Sequence, residues 1–284
     1  MRIKVIDLNG TLVSAVGLYG GLKIYSYEGS RLFFNIPCKI KLSEKPYLFQ
    51  AISEYFNFGN NIPSENPKIK GCPCHGILCA DSYGEIFLIT GSNFNYKARL
   101  LYHNVGITAT DIICDYITGI FSCAFETGEI FVLKIKDESN VDNIIKFDNI
   151  DNMPCLSLSN LYTKKYNYLA AAFLNGEIKV YINRFSSLSS ETGFDIIFSI
   201  FSNLRVINSL TSYNNYLAAC SDDCFINIWK INENDEISIV GNYEISDKMP
   251  LAAEFIQNSN GKIDLIATCF DTPSLTLIEN LILN

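Results

Sequence analysis

Thiol and imidazole side chains cluster in one short stretch of this 284-residue chain. Cys72, Cys74, His75 and Cys79 supply four soft or borderline metal ligands within eight positions. A structural Zn²⁺ site needs about four such groups in a tetrahedral arrangement. The Cys-x-Cys spacing is not the usual Cys-x₂₋₄-Cys knuckle, however, and Cys79 belongs to an apolar run typical of a buried strand. The sequence therefore predicts a loop with incidental thiols, no metal site and no other cofactor.

Other reactive side chains lack the partners that catalysis requires. The adjacent carboxylates Asp222 and Asp223 could bind a cation, but they lie in a predicted tight turn, where Asp side chains commonly bond the backbone. The chain has no Gly-x-Ser-x-Gly elbow, no Gly-x-x-x-x-Gly-Lys phosphate loop and no His-Glu-x-x-His pair, and it has only two histidines. Carboxylate pairs remain as an acid–base alternative, although nothing singles one out. The sequence favours a protein without a catalytic step.

The charge balance argues against nucleic acid as a partner. Asp and Glu number 30 against 22 Lys and Arg, which gives a formal net charge of −8. Nucleic-acid binding rests on clustered basic side chains, so a basic protein would be a better partner. No window approaches ~18 uninterrupted apolar residues, and Asp7 lies where a signal peptide needs an apolar run. We therefore expect a cytoplasmic protein with no membrane span and with its ten cysteines reduced.

One short unit recurs six times along the chain. It consists of an apolar strand ending in small residues, a tight turn and an alternating strand, and such repeats determine the fold. The turns lie 64, 44, 48, 48 and 49 positions apart. The long first step contains segment 57–76, which is rich in Asn, Pro and Gly and is predicted to be a loop insertion. The six turn residues are Gly20, Gly84, Gly128, Gly176, Cys224 and Pro273.

These units predict an all-β fold, a WD-type β-propeller. Their period is close to the ~40–45 residues of a four-stranded propeller blade. Period-two alternation completes each unit to four strands, and a composition with 19 Phe and 16 Tyr suits strands. In the fifth unit the predicted strands are 206–213, 216–220, 225–231 and 236–243. The prediction is one propeller domain over residues 1–284, with six recognisable four-stranded blades.

Particular positions in the units resemble the WD-repeat family. The residue five positions after the turn is always large, and in the fifth unit it is Trp229, within a run from Ser221 to Lys230 that looks like a WD-type strand pair. The other five units have another residue in the Trp position. His103 and Ser122 resemble part of the buried polar network of WD repeats, in which a His bonds a Ser or Thr.

A closer resemblance concerns the order of several motifs. Segments 21–29, 102–112, 154–181, 216–231 and 249–270 resemble, in this order, the WD repeat-containing protein 54 family. That resemblance implies a non-catalytic propeller that binds other proteins. The family also has an additional N-terminal segment, which is expected to contribute to ring closure.

The sixth unit is predicted to be one strand short. Its strands are 251–256, 265–269 and 275–282, and residues 1–8 already serve as the innermost strand of the first unit. Three explanations stay open: a six-bladed ring with a short last blade, strand donation from a partner to the incomplete last blade, or an incomplete seven-bladed ring whose start is missing from this sequence. Strand addition to an open sheet edge is a known binding mode.

The WD resemblance places one candidate binding face on the turns and on the links that enter each innermost strand. Loops held by a rigid scaffold often bind partners, and aromatic, Met and Arg side chains are enriched at interfaces. For Phe125 and Phe173, capping of the core is an equal alternative. The predicted partner-binding residues are Tyr19, Tyr83, Phe125, Phe173, His103, Asp151, Met153, Arg205, Asp222, Lys248 and Met249.

Taken together, these features predict a non-catalytic protein–protein interaction scaffold. The alternative is a propeller enzyme or a metal-dependent binding module that uses the Cys72–Cys79 loop or channel carboxylates. The sequence does not identify the partner, the pathway or the oligomeric state.

Overall fold

The described part of the protein is built from β-strands. The computed structural model describes residues 2–18, 21–37, 48–57, 73–92, 95–103, 106–136, 141–147, 152–184, 193–201, 205–245, 248–270 and 272–281. These ranges contain 23 strands and no helix, as expected from a chain rich in branched and aromatic side chains. They divide into two compact units, residues 1–152 and 153–284.

The first unit contains three antiparallel sheets of four strands each. Within each sheet, strands that follow one another in sequence are neighbours. Sheet 1 comprises β1 (Arg2–Leu8), β2 (Thr11–Leu18), β3 (Gly21–Ser26) and β4 (Leu32–Pro37); sheet 2 comprises β5 (Phe49–Tyr55), β6 (Gly76–Asp81), β7 (Glu85–Ser92) and β8 (Asn95–His103); sheet 3 comprises β9 (Ala109–Cys114), β10 (Ile120–Phe125), β11 (Ile130–Ile135) and β12 (Val141–Phe147).

The second unit contains three further antiparallel sheets, of which the last has three described strands. The six predicted repeats and the short sixth unit are thus found in the described residues. Sheet 4 comprises β13 (Cys155–Tyr162), β14 (Asn167–Phe173), β15 (Glu177–Asn183) and β16 (Phe194–Phe201); sheet 5 comprises β17 (Ile207–Tyr213), β18 (Tyr216–Ser221), β19 (Phe225–Ile231) and β20 (Ile237–Glu244); sheet 6 comprises β21 (Pro250–Gln257), β22 (Ile263–Cys269) and β23 (Thr272–Leu281).

The second and third strands of four sheets are joined by the same kind of turn. Gly84, Gly128, Gly176 and Cys224 have φ values of 76°, 82°, 84° and 73°. Each donates its backbone N–H to the carbonyl three residues earlier, at 2.9–3.3 Å. Glycine adopts this left-handed conformation without steric cost, whereas another L-residue loses about 1–2 kcal/mol. The predicted turn residues are therefore confirmed at these four positions, and Cys224 carries strain that the three glycines avoid.

The core lies between facing sheets. Every residue of the second strands β6, β10, β14 and β18 is buried, whereas the outermost strands β16 and β20 are largely half-buried or exposed. Of the six small residues four positions before the turn, Ala80, Ala124, Ala172 and Cys220 are at most 1% exposed and Cys269 is 6% exposed, whereas Val16 is half-buried. In the second unit one apolar cluster between sheets 4 and 5 contains Trp229, and another lies between sheets 5 and 6.

Candidate interaction surface

The cysteine and histidine cluster is integrated into the fold of the first unit. The Cys74 side chain is 1% exposed, its thiol donates to the Gly76 carbonyl at 3.2 Å, and its backbone N–H donates to the Asp7 carbonyl at 2.7 Å. Cys79 is fully buried in β6. His75 accepts a hydrogen bond at Nδ1 from the backbone N–H of Asn57, at 3.1 Å. Cys72 and most of the predicted insertion 57–76 lie outside the described residues.

The protonation states of the two buried thiols disfavour metal binding. Burial, aided by the Glu54 charge, raises the pKa of Cys74 to about 12, and burial also raises the pKa of Cys79 well above its usual value. Burial lowers the pKa of His75. The thiolate is the form that binds metal and attacks electrophiles. In the described ranges, no group of three or more His, Cys, Asp and Glu side chains is placed to hold a metal ion.

Among the described residues, a backbone hydrogen bond joins the turn to the link in sheets 2 to 6. Here the turn is the segment between the second and third strands, and the link is the segment that enters the first strand. In sheets 4, 5 and 6, Leu174, Asp222 and Phe270 donate their N–H groups to the carbonyls of the links, at 3.0, 3.0 and 2.9 Å. In sheets 2 and 3 the donors are Ser82 and Glu126, both at 2.9 Å. The predicted turns and links therefore lie side by side within each of these sheets.

In the first unit, the turn of sheet 2 holds the predicted contact residue Tyr83 near the surface. Tyr83 is half-buried, and its backbone N–H donates to Asp81 Oδ1 at 2.9 Å. The same oxygen accepts the Glu85 N–H at 2.9 Å, so Asp81 fixes the turn. Sequence reasoning missed Asp81, although an Asp that opens a tight turn commonly bonds the backbone two residues on. Tyr19 lies outside the described residues.

The predicted aromatic residues Phe125 and Phe173 are part of the core. They are 0% and 2% exposed. The Phe125 ring packs edge-on against Phe131, with the centroids 5.2 Å apart, and Lys179 Nζ lies 4.9 Å from the Phe173 ring centroid. Their burial corresponds to the alternative in which they cap the core. The structure therefore corrects the prediction that these two residues contact a partner, because almost no surface of either side chain is left to offer one.

His103 does not form the buried network of the WD pattern. Its side chain is exposed at the end of β8, whereas Ser122 is 5% exposed within β10. No hydrogen bond joins these two described residues. His103 therefore stays a candidate for surface contact only.

In the second unit, the turns and links expose apolar and charged side chains. Among the predicted residues, Met153 is 36% exposed, Arg205 is exposed, and Lys248 and Met249 are half-buried. Asp151 lies outside the described residues. Sequence reasoning missed two exposed turn residues, Leu174 (41%) and Phe270 (69%). Phe270 and Leu174 are equivalent, because each directly follows the second strand of its sheet and donates its N–H to the link.

Asp222 is fixed by a neighbour that the sequence did not indicate. The Asn208 side-chain amide donates to Asp222 Oδ1 at 2.6 Å and to the Pro250 carbonyl at 3.0 Å. One amide thus joins the turn of sheet 5 to the first strand of sheet 6. Asp223 Oδ1 accepts the Phe225 N–H at 3.2 Å, which agrees with the turn role expected for this pair. We call the residues Met153, Leu174, Arg205, Asp222, Met249 and Phe270 the turn-and-link surface of the second unit.

The fold belongs to a known architectural class. Consecutive antiparallel sheets, each with a buried second strand and an outer strand nearer solvent, define a β-propeller. The β-propeller domain of Cps50 (Swd1) from Myceliophteria thermophila has a similar fold, with a TM-score of 0.64 over 99% of this chain and 83% of that chain. The prediction of an all-β propeller is therefore confirmed. Because the two sequences are 10% identical, the likeness shows the fold alone.

Comparisons with known sequences do not assign the chain to a protein family. No protein-family model matches the chain, and no curated protein matches it either. Solved structures of similar fold are numerous, with 1346 matching chains, and a fold so widely used does not by itself specify a function. In the described ranges, no helix is long and apolar enough to cross a membrane. Function must be inferred from the surface.

Proposed function

We propose that this protein is a non-catalytic scaffold that binds other proteins through its turn-and-link surface. The observation that carries this proposal is the exposure of Met153, Leu174, Phe270 and Arg205 on segments that backbone hydrogen bonds hold in place. Aromatic, Met and Arg side chains are enriched in protein interfaces. Because turn and link are joined in sheets 4, 5 and 6, little ordering entropy would be lost when a partner binds.

The charge of the chain supports a basic partner surface. The formal net charge is −8, so the long-range field would accelerate encounter with a positively charged protein. On the turn-and-link surface, Asp222 is held in place by Asn208 at 2.6 Å. A fixed carboxylate of this kind suits a single Lys or Arg contact at the rim of an interface.

We extend the proposal to family, domain and compartment. The ordered motifs named above support a relationship to the WD repeat-containing protein 54 family, and the repeat along residues 1–284 supports a single propeller domain, which we propose to be cytoplasmic. A single cooperative thermal transition of the full chain would agree with one domain. Two separate transitions would instead indicate that residues 1–152 and 153–284 unfold independently.

The described part of the Cys72–Cys79 loop does not favour the alternative of a metal-dependent site, and Cys72 lies outside the described residues. Cys74 and Cys79 are buried, and their raised pKa values keep both thiols protonated near neutral pH. The described geometry does not favour any particular channel carboxylate for acid–base chemistry either.

Replacement of one exposed ring tests the scaffold proposal. Full-length tagged protein and its Phe270→Ser variant would be incubated with cytosolic extract, and specifically retained proteins would be quantified by mass spectrometry. Burial of a Phe side chain contributes about 2 kcal/mol, so recovery of a specific partner should fall by roughly 30-fold when the partner is limiting. Ile196→Ser is the matched control, since Ile196 is 58% exposed on the outermost strand β16 and is paired with Tyr181, away from the turn. Equal loss in both variants, or in neither, would contradict the proposal.

A further inference from the structure

Sheets 2 to 6 carry the same irregularity near the start of the first strand. In each of them, the pairing of the first strand with the second skips one residue, which makes that residue a β-bulge. A bulge turns a side chain out of the regular alternation of its strand and is common beside functional sites. The five bulge residues are Gln50, Thr110, Leu156, Asn208 and Leu251.

Two of the bulge residues have amide side chains, and both of these reach the next sheet. Gln50 Nε2 donates to the Ala109 carbonyl at 3.0 Å, and Asn208 Nδ2 donates to the Pro250 carbonyl, also at 3.0 Å. Each acceptor is the first residue of the first strand in the following sheet. The bulge side chains therefore lie at the end of the strand that the link enters.

In the second unit, the bulge position changes from apolar to polar and back to apolar across three neighbouring sheets. Leu156 of sheet 4 is half-buried, and Leu251 of sheet 6 is 41% exposed. Asn208 of sheet 5 lies between them. The first strands of these sheets, β13, β17 and β21, are neighbours, with Cα atoms of adjacent strands within 8 Å of one another. The three bulge side chains thus form a row.

The first residue of the turn follows the same order. In sheets 4, 5 and 6 this residue is Leu174, Asp222 and Phe270, each of which donates its N–H to the link of its own sheet. Leu174 and Phe270 are 41% and 69% exposed. Bulge and turn therefore give one pattern: apolar side chains in sheets 4 and 6 flank a polar, acidic pair in sheet 5.

The Asp222 carboxylate is held in position for one cationic contact. Its Oδ1 accepts the Asn208 amide at 2.6 Å, and no described residue donates a hydrogen bond to its Oδ2. A carboxylate that is already fixed loses little freedom when a Lys or Arg side chain binds its other oxygen. The exposed Arg205 lies on the link of the same sheet and would repel a second cation, so the site favours a single basic residue.

The charge of the second unit also favours a basic partner. Residues 153–284 contain 14 Asp and Glu against eight Lys and Arg, so this part of the chain carries most of the formal net charge of −8. Such a field attracts a basic segment, and the attraction is strongest at low ionic strength.

We propose that the turn-and-link surface of the second unit binds an extended protein segment in which one Lys or Arg is flanked on both sides by large apolar residues. The basic side chain pairs with Asp222. The apolar side chains contact Leu156 and Leu174 on one side and Leu251 and Phe270 on the other. Packed sheets lie about 10 Å apart and an extended chain advances about 3.3 Å per residue, so each apolar residue is about three positions from the basic one. This inference rests on the proposed scaffold function and specifies the chemistry of the partner.

Selection from a peptide library tests this chemistry. A phage-displayed library of random 12-residue peptides would be selected on immobilised full-length protein at low salt. We expect enrichment of peptides with one Lys or Arg and a large apolar residue about three positions away on each side. Enrichment of acidic peptides, of purely apolar peptides or of no peptide would overturn the inference.

A charge variant locates the basic residue of a selected peptide. Asp222→Asn should weaken binding about fivefold in fluorescence anisotropy, because the ion pair is lost while the Asn side chain can still accept from Asn208. Replacement of the basic residue of the peptide with Met should have the same effect on wild-type protein and no further effect on Asp222→Asn. Asp223→Asn is the matched control, since Asp223 Oδ1 accepts the Phe225 N–H within the turn.

An apolar variant locates the flanking residues. Leu251→Ser should weaken binding of the same peptide about 10-fold, because the peptide no longer buries the leucine. Val240→Ser is the matched control, since Val240 is 43% exposed on the outermost strand β20. Circular dichroism of each variant would verify that the fold is retained.

Equal affinities of wild-type protein and Asp222→Asn, or equal losses in Asp223→Asn, would exclude a specific contact with Asp222. Binding that is insensitive to Leu251→Ser would place the apolar contacts elsewhere and overturn the inference. Retention of proteins from extract that depends on Phe270 but not on Asp222 would keep the scaffold proposal and reject this partner chemistry. The expected peptide binding without any Phe270-dependent partner in extract would keep the binding site and reject the scaffold proposal.

Discussion

Sheets 5 and 6 are neighbouring copies of one repeat that differ in completeness. In sheet 5, β19 is paired on both sides, and Ile226 and Ile228 are 0% and 1% exposed. In sheet 6 the equivalent strand β23 is paired on one side, and Leu275 and Leu277 are largely exposed. The local sequences are similar in apolar character. Ile226 and Ile228 belong to the apolar cluster between sheets 5 and 6, so burial of the third strand depends on the sheet that packs against its face and not on its own pattern.

The largest expected effect concerns one matched position in these two sheets. Ile228→Ala removes a buried aliphatic side chain and should lower the free energy of unfolding by about 2–5 kcal/mol. Leu277→Ala, at the same repeat position in β23, should cost less than about 1 kcal/mol because the side chain is 48% exposed. Urea titration followed by circular dichroism would measure both. Similar losses would mean that β23 is covered in solution.

A smaller loss of stability is expected when the Asn208 amide, which connects sheets 5 and 6, is removed. Asn208→Ala removes the hydrogen bonds to Asp222 and Pro250 and should cost about 1–2 kcal/mol. It should also accelerate hydrogen exchange near Pro250, at the start of β21. Asn242→Ala serves as a control, since Asn242 is exposed on β20. If exchange at the start of β21 does not change, the amide does not couple the sheets.

Replacement of the strained turn residue of sheet 5 should stabilise the protein instead of destabilising it. Cys224 adopts φ 73° where sheets 2, 3 and 4 have glycine, so Cys224→Gly should relieve backbone strain and stabilise the protein by about 0.5–1 kcal/mol. Thermal unfolding would show a higher midpoint. The converse change, Gly176→Ala, should lower it. A destabilised Cys224→Gly protein would show that the thiol contributes packing greater than the strain.

The smallest predicted effect is on pH dependence. Burial raises the pKa of Cys220 in β18 to about 12, above its value in the unfolded chain. The neutral thiol therefore favours folding fully below the unfolded pKa, and this contribution is lost as pH rises from about 9 toward 12. Near pH 9, ionisation of this thiol in the unfolded chain should lower the free energy of unfolding by about 0.5 kcal/mol, and Cys220→Ala should abolish this loss. Identical pH profiles of unfolding for the two proteins would exclude this contribution.

Most of the fold could be predicted from the sequence because the repeat acts locally. Alternation specifies each strand, and Gly84, Gly128 and Gly176 specify the left-handed turns that join them. The sequence also indicated that the last unit has three strands. Boundaries were less accurate: the third strand of the sixth unit was predicted at 275–282, whereas β23 is Thr272–Leu281, because pairing with β22 extends it across Pro273.

The surface was harder to predict, since exposure depends on neighbouring sheets. Ile226 and Leu275 occupy one repeat position, yet the first is buried and the second is 67% exposed. Asn208 gave no signal, because its partners Asp222 and Pro250 are 14 and 42 positions away. Tyr83, His103, Met153, Arg205, Asp222, Lys248 and Met249 stay predicted contacts, and Tyr19 and Asp151 lie outside the described residues.

The sequence by itself determined the all-β class, the six repeats and their turn chemistry, because alternation, small residues and glycines act over a few positions. Only the tertiary structure decided which equivalent side chains are buried. Cys74, Phe125 and Phe173 became part of the core, whereas Leu275 and Leu277 reached solvent although their repeat equivalents Ile226 and Ile228 are buried. The physical reason is that the burial of a strand depends on the neighbours that pack against its faces and edge, and these neighbours are distant in sequence.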